Sequence, residues 1–316
     1  ILTVFTENYE NHRQWRRRGV YGSELEVKRD EYISILDRET KNLKRRRLII
    51  SAENIWTFKP NEKKNLVSYF RDRDLNVKAV CYVREFQSYA ASAFQQSVKG
   101  GLGKIKIVKT EHRNRLEPFR KLIDPDQFFV RKFDRENLKN GCVVQDFCDL
   151  VGIHPKRVIN SNESLSVSAL KLMFLFNRKG PLSENDSRLK VARNKLVKRL
   201  DSAYPGTKPD NRLFRDLVPD WKDDYRYLEE QFGISFPPPD QSEHGQLLEE
   251  YLTDLSGLDL GPLDTLLTKN DVDPLCFSAA EDKLSVLYYA ILAGFKSPPV
   301  ARPRKSFDLR RIFGSA

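Results

Sequence analysis

Residues 76–99, NVKAVCYVREFQSYAASAFQQSVK, contain a change of hydrophobic period. Val77, Val80, Tyr82 and Val83 are β-branched or aromatic between polar flanks, which predicts a short buried strand over Asn76–Val83. From Phe86 onward the apolar residues Phe86, Tyr89, Ala90, Ala93, Phe94 and Val98 recur at helical spacing, leaving Ser88, Ser92, Gln96 and Lys99 on the opposite face. A strand therefore ends at Arg84 and a helix follows. In open α/β sheets anions bind beyond the carboxyl ends of strands, where helix N-termini point N–H groups at them. Arg84 stands at such an end.

Upstream, PNEKKNLVSYFRDRD over Pro60–Asp74 reads as a helix with Leu66, Val67 and Phe70 inward, and RLIISAE over Arg47–Glu53 reads as a strand. Strand, helix and strand make a β-α-β unit, nearly always a right-handed crossover into a parallel sheet. Glu53 and Arg84 are then expected at neighbouring strand ends. Ser23 and Glu26 have the spacing of a capping box, predicting a helix to about Lys44 that buries Leu25, Ile33, Leu36 and Leu43. Ahead of it, Ile1–Phe5 is a short apolar run, and Arg13 with Arg16–Arg18 forms a basic cluster. That cluster suits either an anion grip or a solvated helix face with Trp15 docked on the core.

Downstream, KGGLGKIKIVK (Lys99–Lys109) contains Gly-Leu-Gly-Lys but lacks the preceding strand and Ser/Thr-led helix of a phosphate loop, so it reads as a C-cap turn. A helix over 112–122, a strand over Phe128–Asp134 and a helix ending near Gly152 follow, the last with Val143, Val144, Phe147, Leu150 and Val151 inward. PPPDQSEHGQ (237–246) breaks the pattern like a linker. Beyond it, helical stretches within 246–295 include Leu284, Leu287, Tyr288, Ile291 and Leu292 at core spacing. Residues 296–316, rich in Pro, Arg and Lys, are expected to be disordered.

The 316 residues, 40% hydrophobic and 11% aromatic, are enough for a sizeable core. Fifty-five Lys and Arg against 44 Asp and Glu give a net charge of +11, which favours an anionic partner: nucleotide, acidic glycan, nucleic acid or anionic membrane face. No apolar run is long enough to span a membrane, and no signal peptide is visible. Cys81, Cys142, Cys148 and Cys276 lack C-x-x-C spacing and are read as reduced core residues of a cytoplasmic protein; no His, Cys, Asp or Glu set has metal-ligand spacing. Because the first residue is Ile, the chain is expected to be a fragment or a processed form.

Arg84 and Ser92, eight residues apart in YVREFQSYAASAFQQSVKGG, resemble the R-x7-S signature of the sulfotransferase superfamily. Further segments match in order: IISAEN resembles the "SSE" element of the bacterial carbohydrate- and polysaccharide-directed branch, and Phe129–Ile153 and NSNESLSVSALKLMFLFNR (Asn160–Arg178) resemble the segments that follow. The likeness runs to about residue 236, ending with YRYLEEQFGISF. It implies a P-loop-type α/β fold over residues 1–236, followed by a linker at 237–245, a helical extension at 246–295 and the tail.

The resemblance also implies the chemistry. Arg84 and Ser92 hold the 3′-phosphate of 3′-phosphoadenosine-5′-phosphosulfate, and Glu53 takes the proton of a carbohydrate hydroxyl as the sulfuryl group moves in line. The bland alternative for Glu53 is a helix cap. Lys99 and Arg131 are candidates for holding an anionic acceptor, with Lys104 facing the same way; no metal is implied. The family's amino-terminal phosphosulfate loop is not found, so this chain is expected to be truncated or degenerate and weakly active by itself. The rival reading is a non-catalytic basic protein that binds an acidic glycan or nucleic acid, the latter disfavoured because the basic residues are scattered. A nucleotide-dependent kinase is disfavoured by the same missing loop and by the lack of a magnesium-binding carboxylate motif. The sequence leaves the oligomeric state open.

Overall fold

The computed structural model describes residues 1–16, 18–43, 47–155, 157–158, 164–179, 186–238 and 247–294. In chain order the elements are α1 (Leu2–Phe5), α2 (Arg13–Arg16), α3 (Gly22–Lys41), α4 (Pro60–Arg71), β1 (Ala79–Val83), α5 (Phe86–Lys99), α6 (His112–Leu122), β2 (Phe128–Lys132), α7 (Val143–Leu150), α8 (Val167–Lys179), α9 (Ser187–Ala203), α10 (Trp221–Phe232), α11 (Leu248–Thr253), α12 (Gly261–Thr268) and α13 (Ala280–Ala293).

Helices dominate, and this overturns the expected α/β architecture of a parallel sheet flanked by helices. Among the described residues the sheet consists of β1 and β2 alone, parallel, with Ala79 opposite Phe128 and Val83 opposite Lys132. The expected strand at 47–53 is not formed: residues 47–52 join no sheet, and Glu53 opens a 3-10 turn to Thr57. The physical reason lies in the brevity of its apolar run. Leu48 is exposed, while Ile50 packs on the cluster of Phe58, Leu66 and Phe70, so side-chain packing covers its apolar surface without a strand ladder.

The described residues form two compact units: those within 1–83, 111–132 and 222–235 in the first, and those within 84–110, 133–221 and 236–294 in the second. In the first unit Val4 and Phe5 of α1, Leu36 of α3, and Leu66 and Phe70 of α4 gather around Phe58. Trp15 is buried, its indole N–H donating to the Thr3 hydroxyl at 3.2 Å. The expected capping box at Ser23 and Glu26 is absent: α3 already begins at Gly22, and its N-cap Tyr21 makes no side-chain cap bond. A carboxylate does close α4, because Glu62 accepts from the Lys59 amide at 2.8 Å and the Glu7 amide at 3.0 Å. Beside it Lys63, 1% exposed, donates to the Arg115 carbonyl at 2.9 Å, and burial pulls its ammonium down to about 8.

In the second unit α8 is apolar around most of its circumference, with Leu170, Leu172, Met173, Phe174 and Phe176 all buried, so it lies at the centre. The ring of Phe94 on α5 meets that of Phe174 at 5.9 Å, and Phe176 meets Tyr288 of α13 at 5.1 Å. Leu284, Leu287, Tyr288 and Ile291 are buried as their spacing predicts. Two amides stitch α5 to its surroundings. Gln95 Oε1 accepts from the Leu165 amide at 2.9 Å, and Asn177 Nδ2 donates to the Val98 and Leu102 carbonyls at 2.7 and 3.2 Å. On α7 the expected inward face is corrected: Val144 is exposed, and Asp146 and Cys148 are buried instead. Asp146 accepts from the Lys139 amide at 3.1 Å, a bond that draws the acidic side of α7 inward. The expected linker at 237–245 lies largely, and the tail at 296–316 wholly, outside the described residues.

Candidate functional site

Arg84 follows the last residue of β1 and precedes α5 by two positions, as the change of period predicts. Its guanidinium carbon lies 4.1 Å from the centre of the Phe133 ring, and burial holds the group below its ordinary range. Stacking on an aromatic face covers one side of the guanidinium plane and leaves the N–H edge available to an acceptor. Among the described residues Arg84 makes no ion pair, although a carboxylate is adjacent in sequence. That carboxylate, Glu85, is turned the other way: it caps α5, accepting from the amides of Gln87 and Ser88, each at 2.7 Å. The helix N-terminus expected to receive an anion therefore already holds one supplied by the chain. Any further anion at this turn depends on the Arg84 side chain.

Ser92 is half-buried on the polar side of α5, and Lys99 lies on its last turn, seven residues further, about 10 Å along the axis. Burial lowers the Lys99 ammonium, Asp201 opposes that shift and Lys208 adds to it. Arg84, Ser92 and Lys99 belong to the second unit; Glu53 and Arg131 belong to the first. The Glu53 backbone begins a 3-10 turn, not a strand end, and its side chain lies outside the described part of the structure. Arg131 stands on β2 opposite Tyr82. Lys104 follows the turn that ends α5, with Gly100 as C-cap and the Gly101 and Leu102 amides bonded to Val98 and Ser97. Of the basic cluster near the amino terminus, Arg17 and the side chains of Arg13 and Arg16 lie outside the described residues.

Two features of this turn escaped sequence reasoning. Phe133 carried a signal in its place just beyond an apolar run, FFV, but nothing local announces which cation it will stack on. Glu85 was hidden because glutamate is not among the usual N-cap residues. All four cysteines are free thiols; Cys276 is exposed, correcting the expectation that it belongs to the core, and burial pushes the Cys81 thiol up to about 12. Among the described residues no three His, Cys, Asp or Glu side chains gather as metal ligands would, and no helix is long and apolar enough to cross a membrane.

No protein-family model and no solved structure matches the chain. An uncharacterized protein of Archaeoglobus fulgidus is 26% identical over 148 residues, covering 44% of this chain and 40% of the relative. The chain thus spans less than half the length of the curated relative it matches, and that likeness carries no activity with it.

Proposed function

We propose that the turn between β1 and α5 binds the 3′-phosphate of 3′-phosphoadenosine-5′-phosphosulfate and that the chain serves sulfuryl transfer to a carbohydrate hydroxyl. The observation that carries this reading is Arg84: a partly desolvated guanidinium, stacked on Phe133, with no carboxylate among the described residues to neutralise it. A buried cation without a counter-ion is costly, and an incoming phosphate offsets that cost through charge-assisted bonds in a fork geometry. Ser92 adds a hydroxyl donor on the same helix. In the proposed reaction the acceptor oxygen forms its bond to sulfur as the bond from sulfur to the bridging phosphate oxygen breaks. The acceptor proton passes to a general base, and adenosine 3′,5′-bisphosphate leaves. Lys99, in the same unit as Arg84, is the proposed cation for an anionic acceptor.

Calorimetric titration with adenosine 3′,5′-bisphosphate beside 5′-AMP tests the donor half without requiring turnover. The bisphosphate is expected to bind at least about tenfold more tightly, a difference of ~1.4 kcal/mol, and Arg84→Gln to abolish that preference while the circular dichroism spectrum stays unchanged. Arg84→Lys, which keeps the charge but loses the fork, should recover only part of it. Equal binding of the two nucleotides, or none, would reject the donor site and leave a basic protein for acidic glycan or nucleic acid.

A further inference from the structure

A second cationic feature of the second unit plays no part in the donor reading. The last two turns of α9 and the outer side of α12 enclose an open groove of about 540 Å³, lined by Lys198, Arg199, Ser202, Ala203, Pro262, Thr265, Leu266 and Lys269. Three of these eight residues are cations and none is an acid, so the groove concentrates positive potential beyond what the net charge of the chain requires.

Three carboxylates close to the groove in sequence act on other groups. Asp264 on α12 pairs with the buried Lys283 of α13, and Asp259 accepts from the Gly261 amide at 2.8 Å at the start of α12. Asp201 on α9 acts on Lys99. Arg199 is held in place, donating to Asn270 Oδ1 at 2.6 Å, and Asn270 in turn donates to the Leu266 carbonyl at 2.7 Å. Lys198 and Lys269 make no ion pair among the described residues. The groove therefore presents one fixed and two unneutralised cations around a small apolar floor of Ala203, Pro262 and Leu266.

We propose that this groove binds a sulfated or carboxylated oligosaccharide. Its chemistry selects that occupant over other polyanions. Single-stranded nucleic acid is held by aromatic rings on which bases stack, and the lining contains none. An extended acidic peptide gains affinity by adding a strand to a sheet edge, whereas both walls here are helices. A sugar chain instead offers sulfate or carboxylate to the three cations, hydroxyls to Ser202 and Thr265, and C–H faces to the aliphatic floor. The Thr265 hydroxyl already donates to the Gly261 carbonyl at 3.0 Å, so it serves as an acceptor for a sugar hydroxyl. The proposal does not rest on the donor reading. Nucleotide binding reads Arg84 and saccharide binding reads α9 and α12, so each can fail alone.

The test is titration of the full chain with a heparin-derived octasaccharide, a neutral dextran of similar length and a single-stranded oligonucleotide of similar charge, all at about 0.1 M salt. The octasaccharide is expected to bind most tightly and the dextran not at all. Lys198→Gln with Lys269→Gln, both exposed, should weaken octasaccharide binding about tenfold or more. The equally exposed pair Lys64→Gln with Lys78→Gln, in the first unit, removes the same charge and should change it less than about threefold. Equal weakening by the two pairs would mean diffuse attraction to the net charge and would overturn the groove. So would absent octasaccharide binding, or an oligonucleotide that binds as tightly through the same two lysines.

Discussion

Gly103→Ala is expected to lower the stability of the second unit by about 3 kcal/mol, the upper end for adding one methyl to a filled site. A Cβ at Gly103 would lie 2.5 Å from the carbonyl carbon of Asn177 and 2.6 Å from the amide nitrogen of Arg178. Both atoms are backbone within α8, so neither can rotate away as a flexible side chain would. The same approach brings the Leu102 carbonyl to Asn177 Nδ2 at 3.2 Å, so separating the segments also strains that bond. Urea unfolding followed by far-UV circular dichroism reads the effect as a lower midpoint at unchanged slope. The comparison variant is Gly294→Ala, where the nearest atom to an added Cβ is 3.5 Å away and φ is −65°, a conformation alanine adopts without strain. It should stay within about 0.5 kcal/mol of the parent. Equal, small losses for both would mean that the loop after α5 does not press on α8.

Acidification should unfold the first unit through His112. This residue, 4% exposed, begins α6 with its ring against the edge of Trp56 at 5.6 Å. Burial is the main cause that pushes its imidazole down to about 4, the Arg115 charge pushes the same way, and Asp224 opposes both. Asp224 is itself an acceptor for the Arg113 amide at 3.0 Å. With the folded value depressed, the unfolded chain binds more protons than the folded one between the two values, so stability rises with pH across that window. It is intact above pH ~6.5 and falls by about 3 kcal/mol as the pH drops through 4. Urea midpoints measured from neutral pH to pH ~4 should show that loss in the parent and a much shallower one in His112→Phe, which keeps an aromatic ring beside Trp56 and has nothing to protonate. Identical slopes in the two proteins would mean that His112 charges without cost in the folded state.

Legibility from sequence followed the range of the interactions. Helical periodicity is written within one segment, so α5, α6 and the buried face of α13 could be read in advance, down to the bounds of α6. The strand before Arg84 and its parallel partner near Phe128 were legible for the same reason: β-branched and aromatic residues crowd both. The run RLIISAE, however, has only four successive apolar residues, and such a run does not say whether its surface will be covered by a ladder or by helices. Here Ile50 found Phe58, Leu66 and Phe70, and the strand and its wider sheet did not form.

The candidate site divides in the same way. Arg84 and Ser92 are visible because their spacing is local. What surrounds Arg84 is not, since Phe133 comes 49 residues later and the neighbouring Glu85 turns to the amides of α5. The groove is still more remote from local reading, because Lys198 and Lys269 meet only through the packing of α9 against α12. The sequence by itself determined several of the helices, among them α4, α5 and α6, the apolar face of α13, and that the protein is strongly cationic. Only the tertiary structure decided which cations lack a counter-ion, because pairing depends on neighbours brought together across long stretches of chain, and local periodicity carries no record of them.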